Sequence, residues 1–184
     1  AKSAGDAWSR GRILGNLGAV EHDRRRFEDA LEFYGEAHRL LARAGDVRLR
    51  GLVLTNRAVL LQEMGMRTDA RRDYERARGL LRRCSDRRLE AICAGNLGAL
   101  LHETGDFDGA RRCHEEAIRL LGEVGDVRSE GLAFARLAAA LAMLDRLDEA
   151  DARLDDAAVV LEQADDAVAL SAVSAVAALV DAAH

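Results

Sequence analysis

The chain has 184 residues, of which 49% are apolar and 32% charged, with a formal net charge of −5. That balance excludes a disordered segment and is ample for one continuous core. With no proline and only 4% aromatic residues, strand formers are scarce and helix formers abundant, so an all-α chain is expected.

The elements fall into a repeat. Asp6, Asp46, Asp86, Asp126 and Asp166 stand forty residues apart with no insertion or deletion between copies, and a fixed period of this size marks a repeat architecture. The first unit, 6–45, carries Gly15-Asn16-Leu17-Gly18, then Phe27, Ala30, Tyr34, Ala37 and Leu41. The second, 46–85, has Thr55-Asn56-Arg57-Ala58, then Ala70, Tyr74, Ala77 and Leu81. In the third, 86–125, Asp86 is placed as an N-cap and Leu89, Cys93, Leu97, Leu100 and Leu101 recur at helical spacing. Gly105 stops that helix, Asp106 caps the next, and Phe107, Ala110, His114, Ala117 and Leu121 carry a second stripe to Gly125. The fourth, 126–165, repeats the pattern with Ala135-Arg136-Leu137-Ala138, Ala150, Ala157 and Leu161. Each unit is therefore predicted to be two antiparallel helices, with Gly closing and Asp opening them. Small residues kept in phase mark close backbone approach, and the leucine column marks core contacts. Residues 166–184 form a lone first-type helix over the last pair. Its charge-free run, Ala167 to Val180, is too short to span a bilayer and suits burial.

Leu97-Gly98, followed by Ala110, His114 and Ala117, matches the spacing of the tetratricopeptide signature, L-G…A-x-x-x-F…A. Tyr34 and Tyr74 fill its aromatic place in the first two units. Over essentially its whole length the chain resembles tetratricopeptide repeats. It looks like the forty-residue variety of spindle-orientation adaptors, kinesin light chains and bacterial multidomain regulators. It departs in lacking the proline that ends the usual unit, and in carrying Arg67 where Phe27 and Phe107 open the second helix. The expected fold is an all-α, right-handed superhelical solenoid of antiparallel helix pairs, a single repeat domain over residues 1–184. Such a stack presents a concave face lined by its first helices.

At 100° per residue, Arg48, Leu52, Asn56, Val59 and Glu63 share one stripe of a first helix, while Val53, Leu54, Leu60 and Leu61 face the second helices. Side by side, the accessible stripes form three tracks. One end carries Arg48, Arg88 and Arg128, the middle Asn16, Asn56, Asn96 and Arg136, and the far end Asp23, Glu63 and Glu103 beside His22, Gln62 and His102. First helices spaced by about 10 Å would meet an extended peptide, advancing about 3.3 Å per residue, every third residue or so. A carboxamide both donates and accepts, so it can hold any peptide unit, and arginine adds preference for carboxylates. The resemblance implies that Asn16, Asn56 and Asn96 clasp peptide backbone. The alternative is structural: the asparagines bond neighbouring helices, and Arg48, Arg88 and Arg128 pair with the local capping aspartates.

Other signals carry less. Gly15-x-x-Gly18 and its copy at 95–98 lie inside helices with no preceding strand, the wrong context for a phosphate loop. His22 and His102 stand two units apart, too far to share a metal. Residues 46–85 hold ten arginines against five acids and 126–165 four against ten, yet acids interleave with Arg71, Arg72, Arg76, Arg78, Arg82 and Arg83 as on a solvated helix face. Nucleic acid is not expected as a partner, nor a membrane. No nucleophile–base pair or cofactor motif occurs, so neither enzyme activity nor a cofactor is expected. Cys84, Cys93 and Cys113 are odd in number and unspaced for zinc, which fits reduced thiols in the cytoplasm. The expected partner is a protein or peptide, in trans or from another domain of the same chain. The lack of an initiator Met and the end partway through a unit point to a piece of a larger bacterial regulatory or signalling protein. The rival reading is a structural scaffold, a homo-oligomer that stacks through Leu170, Val173, Val176 and Leu179 of the last helix.

Overall fold

The computed structural model describes residues 2–182 and shows nine helices and no strand among them. They are α1 Lys2–Asp23, α2 Phe27–Ala44, α3 Val47–Glu63, α4 Arg67–Cys84, α5 Arg87–Glu103, α6 Phe107–Val124, α7 Val127–Ala142, α8 Leu147–Gln163 and α9 Ala167–Asp181. The predicted helix pairs are all present. The closing helix, predicted over 166–184, ends at Asp181, and residues 183 and 184 lie outside the described range. By packing the chain divides into two compact units, Ala1–Leu89 and Glu90–His184, the division falling at the start of α5. In the first, α1 packs along α2 and α3 along α4, and α2 packs against α3. In the second, α7 packs against α6, α8 and α9.

Every turn between helices contains one residue in the left-handed region, and these recur every twenty residues: Arg25, Gly45, Gly65, Ser85, Gly105, Gly125, Asp145 and Asp165. The following amide usually returns to the carbonyl five residues back, as from Asp46 to Leu41 at 3.1 Å and from Asp106 to Leu101 at 2.8 Å. That bond closes the helix and satisfies a terminal carbonyl. Glycine is thus expected at all eight turns, but four carry a side chain.

Asp46, Asp106, Asp126 and Asp166 cap α3, α6, α7 and α9 with their side chains. Asp86 likewise accepts from the Leu89 amide at 3.0 Å. The expectation that aspartate opens every helix fails for α2, α4 and α8, which start after Arg26, Met66 and Arg146 with no side-chain cap. It fails also at Asp6, which lies inside α1.

The columns of small and large residues set the helix spacing. Ala30, Ala70, Ala110 and Ala150 are all fully buried, and the leucine column is buried at every copy. Within each pair, a small residue on the first helix admits a large one from the second. A Cβ added at Gly51 would lie 2.7 Å from Leu81, at Gly131 2.5 Å from Leu161, at Gly18 2.7 Å from the Tyr34 ring, and at Gly98 2.6 Å from the His114 ring. Close packing therefore accounts for Gly18 and Gly98. In α9, Val173 is buried and Leu170 and Val176 pack against the core of the second compact unit. Val168 and Leu179 remain exposed.

Leucine at position 110 would overfill the place where these backbones meet, at a typical cost of about 1–3 kcal/mol. Ala110→Leu should keep the chain helical, lower its melting temperature by several degrees and raise amide exchange chiefly in α5 and α6. Uniform loss of protection would contradict this packing. Conversely, Ser85 holds a left-handed backbone with φ 55° that costs a residue with Cβ about 1 kcal/mol, while glycine in the unfolded chain returns part of that. Ser85→Gly should therefore raise stability by roughly 0.5 kcal/mol, read as a higher urea midpoint at unchanged m value.

Candidate functional site

Asn16, Asn56, Asn96 and Arg136 occupy the same position of α1, α3, α5 and α7. Asn16 and Arg136 are exposed, and Asn56 and Asn96 half-buried. Among the described residues, none hydrogen-bonds the three carboxamides. The asparagines therefore do not bond neighbouring helices, and their donors and acceptors remain available. The opposite stripe is core as expected, with Val53, Leu54, Leu60 and Leu61 buried.

The arginine track is engaged in a different way from the local pairing considered above. Arg48 Nε donates to Asp86 at 2.6 Å, and Arg128 forms an ion pair with Asp166 at 3.2 Å, each reaching the capping aspartate of the next repeat. Trp8, at the same position of α1, donates its indole N–H to Asp46 at 2.8 Å. Arg88 is exposed at the matching position of α5. The far track is also engaged: Glu63 accepts from Arg25 at 3.0 Å, and His22 lies 3.2 Å from the same carboxylate. His102 sits edge-on to Phe107, as His22 does to Phe27. Among the described residues no three His, Cys, Asp or Glu side chains converge as metal ligands.

In the second compact unit, Asn96 and Arg136 come together. They line a depression of about 170 Å³ with Ile92, Gly95, Ser129 and Leu132. A Cβ added at Gly95 would lie 3.9 Å from Arg136 Nη1, so the guanidinium passes over bare backbone there. Arg136 has no carboxylate partner among the described residues. A second depression of about 410 Å³, lined by His102, Glu103, His114 and Ala139, meets the same arginine from its other side. A guanidinium between a carboxamide, a hydroxyl and two apolar side chains offers fork geometry to a carboxylate and contact area to whatever carries it. Ile92, Ser129 and Leu132 were not legible as site residues, because each looks like ordinary helix surface or core in isolation.

His114 stands where Tyr34 and Tyr74 stand in the first two repeats. It is buried, and its Nδ1 has no hydrogen-bond partner. Burial first, then the charges of Arg136 and His102, push its pKa down to about 4. The ring is therefore neutral at ordinary pH and adds no positive charge beside Arg136.

Helix pairs repeating every forty residues, with a column of carboxamides on the first helices, define a helical-repeat protein. Two tetratricopeptide-repeat family models match, over residues 11–44 and 49–123, together more than half of the chain. The chain belongs to the tetratricopeptide-repeat family. No curated protein matches it by sequence. Among solved structures, BtubC (BKLC) from P. vanneervenii superposes with a TM-score of 0.78 at 21% identity, over 84% of this chain and 64% of that one. A Rap protein complexed with Competence and Sporulation Factor gives 0.78 at 15% identity, over 90% of this chain and 46% of that one. A putative kinesin light chain with nearly identical TPR-like repeats, from Podosopora anserina, gives 0.77 at 15% identity, over 95% and 87%. The chain thus spans 64% of BtubC and less than half of the Rap protein. These likenesses establish the fold.

The depressed pKa of His114 links stability to pH. Below about 6.5 the unfolded chain takes up a proton that the folded chain refuses until about 4, so the contribution is fully present at neutral pH and falls away across that window. The limiting loss is about 3 kcal/mol. His114→Tyr, which restores the residue type of the first two repeats, should remove this component. Between pH 7 and pH 5 wild type should lose at least about 1 kcal/mol more stability in urea than the variant. Parallel acid limbs would show that His114 does not titrate as described.

Proposed function

We propose that the chain is a protein-interaction module that binds an extended, acidic peptide segment along its first helices. Asn16 and Asn56 serve in the first compact unit, Asn96 and Arg136 in the second. The observation that carries this reading is Arg136, a guanidinium without a carboxylate partner, set beside Asn96 and flanked by Ile92 and Leu132. An acidic side chain or terminal carboxylate of a peptide would complete its charge, while the asparagine amide holds a backbone unit. Arg48 and Arg128 already hold aspartates, so they and Arg88 contribute a secondary preference for acidic residues. The shared fold of the Rap protein, seen complexed with Competence and Sporulation Factor, supports a binding role of this kind. The module belongs to a larger bacterial regulatory protein in this reading.

The test is selection from a displayed peptide library on the immobilised chain, followed by affinity measurement on the recovered sequences. Acidic peptides should be enriched. Arg136→Ala should weaken them about tenfold to a hundredfold, the equivalent of one charge-assisted hydrogen bond of roughly 1.5–3 kcal/mol. Asn56→Ala with Asn96→Ala should cost about tenfold or more. Recovery of neutral or basic peptides, or affinities untouched by these substitutions, would sink the assignment.

A further inference from the structure

Where α2, α3 and α4 of the first compact unit meet, they enclose a depression of about 500 Å³ lined by His38, Arg50, Leu54, Arg76, Leu80 and Arg83, with Gly79 at its edge. No carboxylate lines it. Helix-surface arginines ordinarily pair three or four residues away, and two on α4 do so, Arg72 with Asp69 at 2.8 Å and Arg71 with Glu75 at 3.0 Å. Arg50, Arg76 and Arg83 have no carboxylate partner among the described residues. Moreover, Nδ1 of His38 and Nε of Arg50 are buried without a hydrogen-bond partner, a state that native proteins seldom leave unanswered. Burial, then Arg50, Arg57 and Arg76, holds the His38 pKa below its usual value. Asp73 opposes them, but it is itself held by Arg57 at 2.6 and 2.9 Å. The depression is therefore a region of uncompensated positive potential.

The repeat supplies an internal comparison. Eighty residues on, where α6, α7 and α8 occupy the same register, His38 becomes Ile118, Arg50 becomes Glu130, Arg76 becomes Asp156 and Arg83 becomes Gln163. The apolar wall is kept, with Phe134 for Leu54 and Val160 for Leu80. The same backbone frame thus folds with two acids, an amide and an isoleucine in these places, and the basic set answers no demand of the fold.

We propose that this depression is a binding site for a phosphate monoester, whose dianionic phosphoryl group is held by Arg50, Arg76 and Arg83 with His38 at its side. A carboxylate would leave most of three guanidinium charges unanswered, whereas a phosphoryl group brings nearly two negative charges and three acceptor oxygens. The volume exceeds that of a bare phosphoryl group, and Leu54 and Leu80 give the esterified remainder an apolar wall. The ester is either a small molecule or a phosphorylated side chain of a protein. This site shares no residue with the peptide-binding reading, so either can fail alone.

The experiment titrates the full chain by calorimetry at fixed ionic strength with three probes: inorganic phosphate, a phosphoserine peptide and the same peptide unphosphorylated. Saturable binding of phosphate or of the phosphopeptide, with chloride as background, is expected. Arg76→Gln and Arg83→Gln lie at exposed positions and should each weaken it about tenfold at unchanged helical content. Asp156→Ala, in the acidic counterpart, should leave it unchanged. Tighter binding of the phosphopeptide than of inorganic phosphate assigns the ester to a protein, and comparable binding assigns it to a small molecule. Binding of neither, or equal affinity in wild type and Arg76→Gln, overturns the proposal.

Discussion

At two copies of the aspartate that recurs every forty residues, Asp46 and Asp166, one side chain and its own amide join three stretches of chain. At Asp46, the backbone N–H bonds the Leu41 carbonyl and closes α2, Oδ1 accepts from the Leu49 amide and opens α3, and Oδ2 accepts from Trp8 of the preceding repeat. Asp166 bonds Leu161 and Ala169 in the same way and forms an ion pair with Arg128. At these positions turn, helix start and the stagger between adjacent repeats are set together. A cap is worth about 1 kcal/mol, and an exposed ion pair adds little. Its value lies in geometry, because a neutral indole N–H at Trp8 occupies the donor's place as well as a guanidinium does.

Side-chain size forms the second layer of specification. Where the first helix carries Gly18 or Gly98, the second presents Tyr34 or His114, and where it carries Ala58, the second presents Tyr74. The second repeat also replaces an apolar contact with charge. Arg57 and Asp73 form a bidentate pair between α3 and α4, with Asp73 buried, at positions filled by Leu97 and Cys113 one repeat later. Such a pair contributes little net stability, but loss of one partner would strand a buried charge.

Much of this was legible in the residues. Helix number, phase and the alanine and leucine columns follow from period and amphipathicity, since both depend on near neighbours along one helix. The left-handed turns at Arg25, Asp145 and Asp165 were not legible, because a single position of positive φ leaves no mark when the residue is not glycine. The uncapped starts of α2, α4 and α8 were missed because closure of the preceding turn already fixes the chain there. Of the candidate site, the asparagine column could be read from register alone. The partners of Arg48 and Arg128 lie thirty-eight residues away, beyond any local pattern. Likewise Arg76 and Arg83 are indistinguishable in sequence from Arg71 and Arg72, which pair at helical spacing, until the neighbouring helices are in place.

The contact that spans thirty-eight residues from Trp8 to Asp46, from Arg48 to Asp86 and from Arg128 to Asp166 has a consequence for how such a chain can change length. Because the donor near the start of one repeat finds its acceptor at the start of the next, a forty-residue module copied in register brings its own donor and offers its own acceptor. Duplication or loss of a whole module therefore leaves no severed bond at the splice. A shorter insertion inside a helix would part donor from acceptor and move the left-handed residue off its turn. The architecture is thus written in a coin of one denomination: evolution can add or withdraw whole repeats freely, while point substitution, as between Arg50 and Glu130, changes what each repeat displays.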